Sequence, residues 1–254
     1  MRRLLMSYEQ KALKALKKDN VEALKEIISE NGKLLKDYQD KDGQTFVYIA
    51  ARDNRVKCLK LLIEAGCDVN QATTDDGETP IYIAAGNGQV EALKVLIEAG
   101  ANVNQANKYG VTPVLIAAQE GHVEALKLLI EAKADVNQAN KYGKTPVYIA
   151  AENGGVEVLK VLIEAGANVN QATTHDGETP VLIAVQEGKV EALKLLYHHG
   201  AEVIVKTRRG TTLLQIARSK THNQIVKFLE NLPTRNPTIF IKEQGAENCL
   251  TSRP

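Results

Sequence analysis

The chain has 254 residues, with 32 Lys and Arg against 31 Asp and Glu and a formal net charge of +1. That balance argues against a dedicated nucleic-acid binder or a polybasic membrane-surface protein, both of which need a basic excess. With 44% hydrophobic and 25% charged residues, the composition is that of a globular chain, and 4% aromatics without Trp leave the core to aliphatic side chains.

The N-terminus begins Met1-Arg2-Arg3-Leu4-Leu5-Met6, but Ser7-Tyr8-Glu9 breaks the apolar run before it reaches the length of a secretory leader. No apolar run approaches the roughly 18 residues of a membrane helix. The cysteines, Cys58, Cys67 and Cys249, are odd in number and lack metal-ligand spacing. They fit a reducing compartment, with neither a disulfide framework nor a zinc site.

The chain nearly copies itself. Gly43, Gly77, Gly110, Gly143, Gly177 and Gly210 follow one another at steps of 34, 33, 33, 34 and 33. A fixed period of this size defines a solenoid of stacked units. Residues 1–40 read as an N-terminal helical cap. They keep Val21-Glu22-Ala23-Leu24-Lys25 but lack a Thr-Pro turn, and Lys11, Lys14, Lys17 and Lys18 face outward. Five full repeats then span 41–206, the first carrying Thr45-Phe46 in place of Thr-Pro.

Residues 74–106 show one unit in full. Asp75-Asp76-Gly77 is a turn. Thr79 caps a helix with Pro80 in its first position, where no N–H is needed. Ile81, Ile83, Ala84 and Ala85 make that helix short and small-faced, and Gly88 ends it. Val90, Leu93, Leu96 and Ile97, three and four apart, form the apolar stripe of a second helix, with Gly100 as its left-handed cap. Glu91 and Lys94 lie on the wet face. Lys133 stands where Gly66, Gly100, Gly166 and Gly200 stand in the other units, a misfit if the position is left-handed. Residues 207–232, with Thr212-Leu213 and Thr221 in place of the usual Pro and Gly, read as a C-terminal cap. Residues 233–254 form a tail in which Thr238-Ile239-Phe240-Ile241 could be extended.

Over residues 9–232 this pattern resembles the ankyrin repeat. The family's Thr-Pro-Leu-His reads Thr79-Pro80-Ile81-Tyr82, Thr112-Pro113-Val114-Leu115, Thr145-Pro146-Val147-Tyr148 and Thr179-Pro180-Val181-Leu182 here, so its His is absent throughout. The resemblance implies an all-α solenoid of helix-turn-helix units joined by β-turn loops. It also implies a noncatalytic scaffold that binds a protein or peptide in a concave groove. The near-identical repeats are similar in style to ankyrin effectors that intracellular bacteria deliver into host cells.

No constellation for catalysis stands out. Ser7, Ser29, Ser219 and Ser252 lie near the ends, away from any rigid base. Cys58 and Cys67 read as small core residues. His198-His199 suits a helix C-terminus rather than a metal, and His122 matches the family's Gly-His step. Gly86-Asn87-Gly88 follows a helix and has Glu91 where a dinucleotide fingerprint needs its third Gly. No catalytic residue, cofactor or metal is expected.

In the family, partners meet the turn tips and the exposed side of the first helix. The tips here are Lys41-Asp42, Asp75-Asp76, Lys108-Tyr109, Lys141-Tyr142, His175-Asp176 and Arg208-Arg209. Charge alternates along them: acidic at Asp75, Asp76 and Glu78, basic at Lys108, Lys141 and Lys144, acidic at Asp176 and Glu178, basic at Lys206, Arg208 and Arg209. Such a surface suits a partner with its own charge alternation. Tyr109 and Tyr142 are the expected anchors, while Tyr48, Tyr82 and Tyr148 are expected to pack between units. Arg52, Asp53, Asn87, Gln119, Glu120, Glu152, Asn153, Gln186 and Glu187 would line the groove floor. The expected partner is another protein or peptide, met by a monomer in the cytosol or nucleus, or in the host cytosol for an effector. Nucleic acid and membrane are not expected partners. The alternative reading makes the chain a substrate of an asparaginyl hydroxylase at Asn70 or Asn137. Each has an acidic residue two before it (Asp68, Asp135) and a Leu eight before it (Leu62, Leu129). The competing reading of these asparagines is that they only stabilise the turn through side-chain to backbone bonds.

Overall fold

The computed structural model describes residues 2–204, 207 and 210–232, and of residues 2–7 the backbone alone. Lys206, Arg208, Arg209 and the tail with its 238–241 stretch and Cys249 lie outside the described residues.

Among the described residues fourteen helices pair in chain order. The first pair is α1 (Arg2–Lys17) and α2 (Val21–Lys36), followed by α3 (Phe46–Arg52) with α4 (Val56–Glu64) and α5 (Pro80–Gly86) with α6 (Val90–Glu98). Next come α7 (Pro113–Glu120) with α8 (Val123–Glu131) and α9 (Pro146–Asn153) with α10 (Val156–Glu164). The last pairs are α11 (Pro180–Gln186) with α12 (Val190–His198) and α13 (Leu213–Ser219) with α14 (Asn223–Glu230). The described residues contain no strand.

The short helices start where the sequence places them. Thr45, Thr79, Thr112, Thr145 and Thr179 each accept a hydrogen bond from the amide three residues on, and a proline fills the first position of α5, α7, α9 and α11. Gly88, Gly121 and Gly154 then turn the chain with positive φ after α5, α7 and α9. Thr212 caps α13 with a full capping box to Gln215. Helix α2 runs to Lys36 with a bend at Asn31, whose φ of −150° is non-helical.

Two layers follow from this pairing. The first helices α3, α5, α7, α9, α11 and α13 pack side by side as an inner row, and the second helices α2, α4, α6, α8, α10 and α12 pack as an outer row. Between the rows Leu59, Leu62, Leu93, Leu96, Leu126, Leu129, Leu159, Leu162, Leu193 and Leu196 are fully buried. Each such leucine contributes about 2 kcal/mol of apolar burial. Ala50, Ala84, Ala117, Ala150 and Ala184, also fully buried, let the inner helices approach closely. No helix pair could bury its stripe alone, so stacking and folding are one event.

A polar ladder joins the loops behind the outer helices. Asn70 Oδ1 accepts from the amide of Asn102 (2.7 Å), Asn104 Oδ1 from Asp135 (2.8 Å), Asn137 Oδ1 from Asn168 (2.7 Å) and Asn170 Oδ1 from Glu202 (2.9 Å). The side-chain to backbone bonds of Asn70 and Asn137 thus reach the turn of the following unit. Asp68 and Asp135 do the local work, accepting from the Asn70 and Asn137 amides at 2.8 Å, while the asparagine side chains reach the next unit.

Candidate protein-interaction surface

One side of the stack is built from the inner helices and the turn tips that precede them. Each tip is tied to the next through the backbone. The Asp42 carbonyl accepts from Thr74, Asp76 from Lys108, Tyr109 from Lys141 and Tyr142 from Thr174, at 2.8–3.3 Å. The edge of this row therefore has few free amides, and its side chains carry whatever chemistry it offers.

Tyr109 and Tyr142 stand on consecutive tips with 52% and 56% of their surface exposed. Among the described residues, large hydrophobic side chains this exposed number only three, so two of them sharing one edge is a concentrated feature. Their backbones are fixed by Asn107 Oδ1 and Asn140 Oδ1, which accept from the two tyrosine amides at 2.9 Å. The Tyr109 hydroxyl donates to Asp76 Oδ1 at 3.2 Å, and that carboxylate raises the phenol's pKa. The Tyr142 ring meets the His175 ring edge-on, with centroids 6.5 Å apart.

The charges expected on this surface divide into two groups. Some are engaged within the chain. Tyr48 donates to Glu78 Oε2 at 2.6 Å and Tyr148 to Glu178 Oε2 at 2.8 Å, across one repeat boundary each. Lys144 Nζ lies 3.0 Å from Glu152 Oε1 and 5.1 Å from the centre of the Tyr148 ring. Arg52 donates to Asp53 (2.8 Å) and Gln44 (2.8 Å), and Gln186 to Glu178 (3.3 Å). Others face outward: Asp75, Asp76, Lys108, Lys141, His175 and Asp176 are exposed, with Asp76 also accepting the Tyr109 hydroxyl and Lys108 reaching back to the Thr74 carbonyl.

On the floor of the groove Gln119, Glu120, Asn153 and Glu187 are exposed, and Asn87 and Asn153 donate to the carbonyls of Arg52 and Gln119 on the preceding unit. Tyr48, Tyr82 and Tyr148 are buried between units. Burial lifts all three phenols above the ordinary value. Tyr82 is pushed up to about 12, with Glu78, Asp76 and Glu120 adding to burial and an Asn107 hydrogen bond opposing it. The Tyr–Glu pairs have no place in the sequence reading, although a spacing of 30 separates both Tyr48 from Glu78 and Tyr148 from Glu178.

Elsewhere the side chains hold structure. Burial pushes the Cys58 thiol up to about 12, with a contribution from Asp19, and burial also raises Cys67, the wrong direction for a nucleophile. The His122 ring packs over Gly88, and the ring of His199 lies 2.8 Å from the Leu195 carbonyl at the end of α12. Glu91–Lys94, Glu124–Lys127, Glu157–Lys160 and Glu191–Lys194 are exposed ion pairs of 2.6–2.8 Å on the outer helices. Among the described residues no group of three or more His, Cys, Asp or Glu could hold a metal ion. No described helix is long and apolar enough to cross a membrane.

The family model for ankyrin repeats (3 copies) matches residues 12–107, 102–173 and 170–238. The chain therefore belongs to the ankyrin-repeat family, whose repeats generally mediate protein–protein interaction and typically act without catalysis. No curated protein matches the chain.

Proposed function

We propose that this chain is a noncatalytic scaffold that grips one protein or peptide partner along its concave face, with the third and fourth tips as the centre of contact. The observation that carries this reading is the pair of exposed, backbone-fixed tyrosines, Tyr109 and Tyr142, on neighbouring tips of an otherwise uniform stack. Exposed rigid aromatics are the side chains that most often carry binding energy. Around them Lys108, Lys141, Asp75 and Asp76 set the charge, and Gln119, Glu120, Asn153 and Glu187 offer polar contacts on the floor. The five repeats at 41–206 act as one binding body between the caps at 1–40 and 207–232, as a monomer and without nucleic acid.

The free, buried thiols of Cys58 and Cys67 support a reducing compartment, cytosol or nucleus. Delivery into a host cytosol as an effector is the further form of the proposal that the near-identical repeats favour. The competing reading, hydroxylation at Asn70 or Asn137, requires those amides to leave their inter-unit bonds. A one-oxygen mass gain mapped to either residue would carry it.

The experiment is a pull-down with wild type beside Tyr109→Ala/Tyr142→Ala, the variant first shown to be folded by circular dichroism. A partner retained by wild type and lost by the variant supports the reading. Equal recovery of every partner shifts the contact away from these tips.

A further inference from the structure

We infer that the two central tips select an extended segment whose centre carries carboxylates between apolar or aromatic anchors and whose flanks are basic. This deepens the concave-face reading and rests on it. Three observations converge.

First, the aromatic anchors are pre-positioned. Asp76 holds the Tyr109 hydroxyl from the tip before, His175 packs on the Tyr142 ring from the tip after, and Asn107 and Asn140 fix the two backbones. With both backbones fixed, less conformational freedom is left to lose on binding, which favours a flexible partner that must itself be ordered.

Second, the charges left over after internal pairing form a simple pattern. Glu78 and Glu178 are held by Tyr48 and Tyr148, Lys144 by Glu152 and Arg52 by Asp53. On the four tips between the Lys41–Asp42 tip and those outside the described residues, what remains exposed is Asp75, with Asp76 also accepting the Tyr109 hydroxyl, then Lys108 and Lys141, then Asp176. The complement of acidic, basic, basic, acidic is a segment with basic ends and an acidic middle. A nucleic acid strand also offers bases for tyrosines and phosphates for lysines, but its uniform charge would meet Asp75, Asp76 and Asp176 on both sides.

Third, the tip backbone is occupied. The amides of Thr74, Lys108, Lys141 and Thr174 are already donated to the neighbouring tips. The segment is therefore read through side chains, not added as a strand, and specificity follows from Tyr109, Tyr142, Lys108 and Lys141.

The test is selection of a random peptide display library on the full chain, in parallel with Tyr109→Ser/Tyr142→Ser, Lys108→Glu/Lys141→Glu and the floor variant Gln119→Arg/Gln186→Arg. Thermal melts would establish that each is folded. Wild type is expected to enrich sequences with acidic and aromatic residues adjacent and basic residues outside them. The serine variant should weaken those peptides at least about tenfold. The charge-reversed variant should instead enrich sequences with basic centres. Enrichment of basic or uncharged centres by wild type, or peptides that ignore both tip variants, overturns the inference. If such peptides are lost only with the floor variant, the concave-face reading stands while the tip assignment falls. Displacement of the peptides by an oligonucleotide of mixed sequence would move the tips to nucleic-acid binding, and no enrichment in any arm would overturn both readings.

Discussion

Tyr148 donates its hydroxyl proton to Glu178 of the following unit at 2.8 Å, and Tyr48 does the same to Glu78 at 2.6 Å. Both acceptors sit in the longer tips, where a threonine closes the loop. Glu78 and Glu178 donate their amides to the hydroxyls of Thr73 and Thr173 at 3.0 Å. The extra residue in these two tips thus comes with a carboxylate that the preceding tyrosine can reach. Where the tip is shorter, Val111 and Lys144 stand at the glutamate position instead.

Tyr148→Phe is expected to destabilise the chain by about 1 kcal/mol, because a hydrogen bond to a half-buried carboxylate is lost while the ring and its packing remain. Gln186 still donates to Glu178, which keeps the loss moderate. Urea titration checks this. A cycle with Glu178→Gln measures the coupling directly, and coupling indistinguishable from zero would mean that the pair contributes nothing net.

Alkaline pH should act through the same tyrosines. Their pKa values are raised in the folded chain from the ordinary 10.0, with Tyr82 at about 12 and burial the leading cause for all three. Below pH 10 the phenols are protonated in both states and their contribution is complete. Above it the unfolded chain gives up protons that the folded chain keeps, so stability falls as pH rises. The urea midpoint of wild type should drop as the pH rises from about 10 towards about 12. A Tyr48→Phe/Tyr148→Phe variant should drop less over the same range, and equal drops would assign the effect to Tyr82 or to lysines instead.

The framework is legible in the sequence because every unit repeats the same instructions: a capping threonine, a proline, a short small-faced helix, a glycine and a leucine stripe. The left-handed backbone at Lys133 and the prominence of Tyr109 and Tyr142 follow from comparing units position by position. What the sequence conceals depends on how one unit sits on the next. Asn137 has the same neighbours whether it braces its own turn or the unit beyond, and only the stacking decides for the Asn168 amide. Glu78 and Glu178 read as groove charges until the register of the longer tips brings a tyrosine to them. Lys144 likewise looks like a free cation until α9 presents Glu152 to it. The bend inside α2 at Asn31 also has no signal in the sequence.

Asn137→Ala should remove one rung of the ladder. The Asn168 amide it holds at 2.7 Å lies at an exposed residue, so water can replace the bond and the loss should be about 0.5–1 kcal/mol. Hydrogen exchange gives the local readout: the Asn168 amide should lose protection while the Asn102 amide, held by Asn70, keeps it. The Asn70→Ala and Asn137→Ala losses should add, because the two rungs join different units. A larger combined loss would show that the ladder acts cooperatively along the stack.

Lys133→Gly should stabilise the chain by about 1 kcal/mol. Lys133 has a φ of +66°, in the left-handed region, at the position where Gly66, Gly100, Gly166 and Gly200 have φ of 80–84°. A side chain there has room: a Cβ at Gly100, Gly166 or Gly200 would meet nothing within 4 Å. The cost of Lys133 is therefore backbone strain alone. Its exposed side chain has no ion-pair partner among the described residues, so little packing is forfeited by removing it. Gly100→Ala is the reciprocal change and should destabilise by a comparable amount. Opposite shifts of the two urea midpoints establish the strain. A fall for Lys133→Gly would mean that the added freedom of glycine in the unfolded chain outweighs the relief of the left-handed turn.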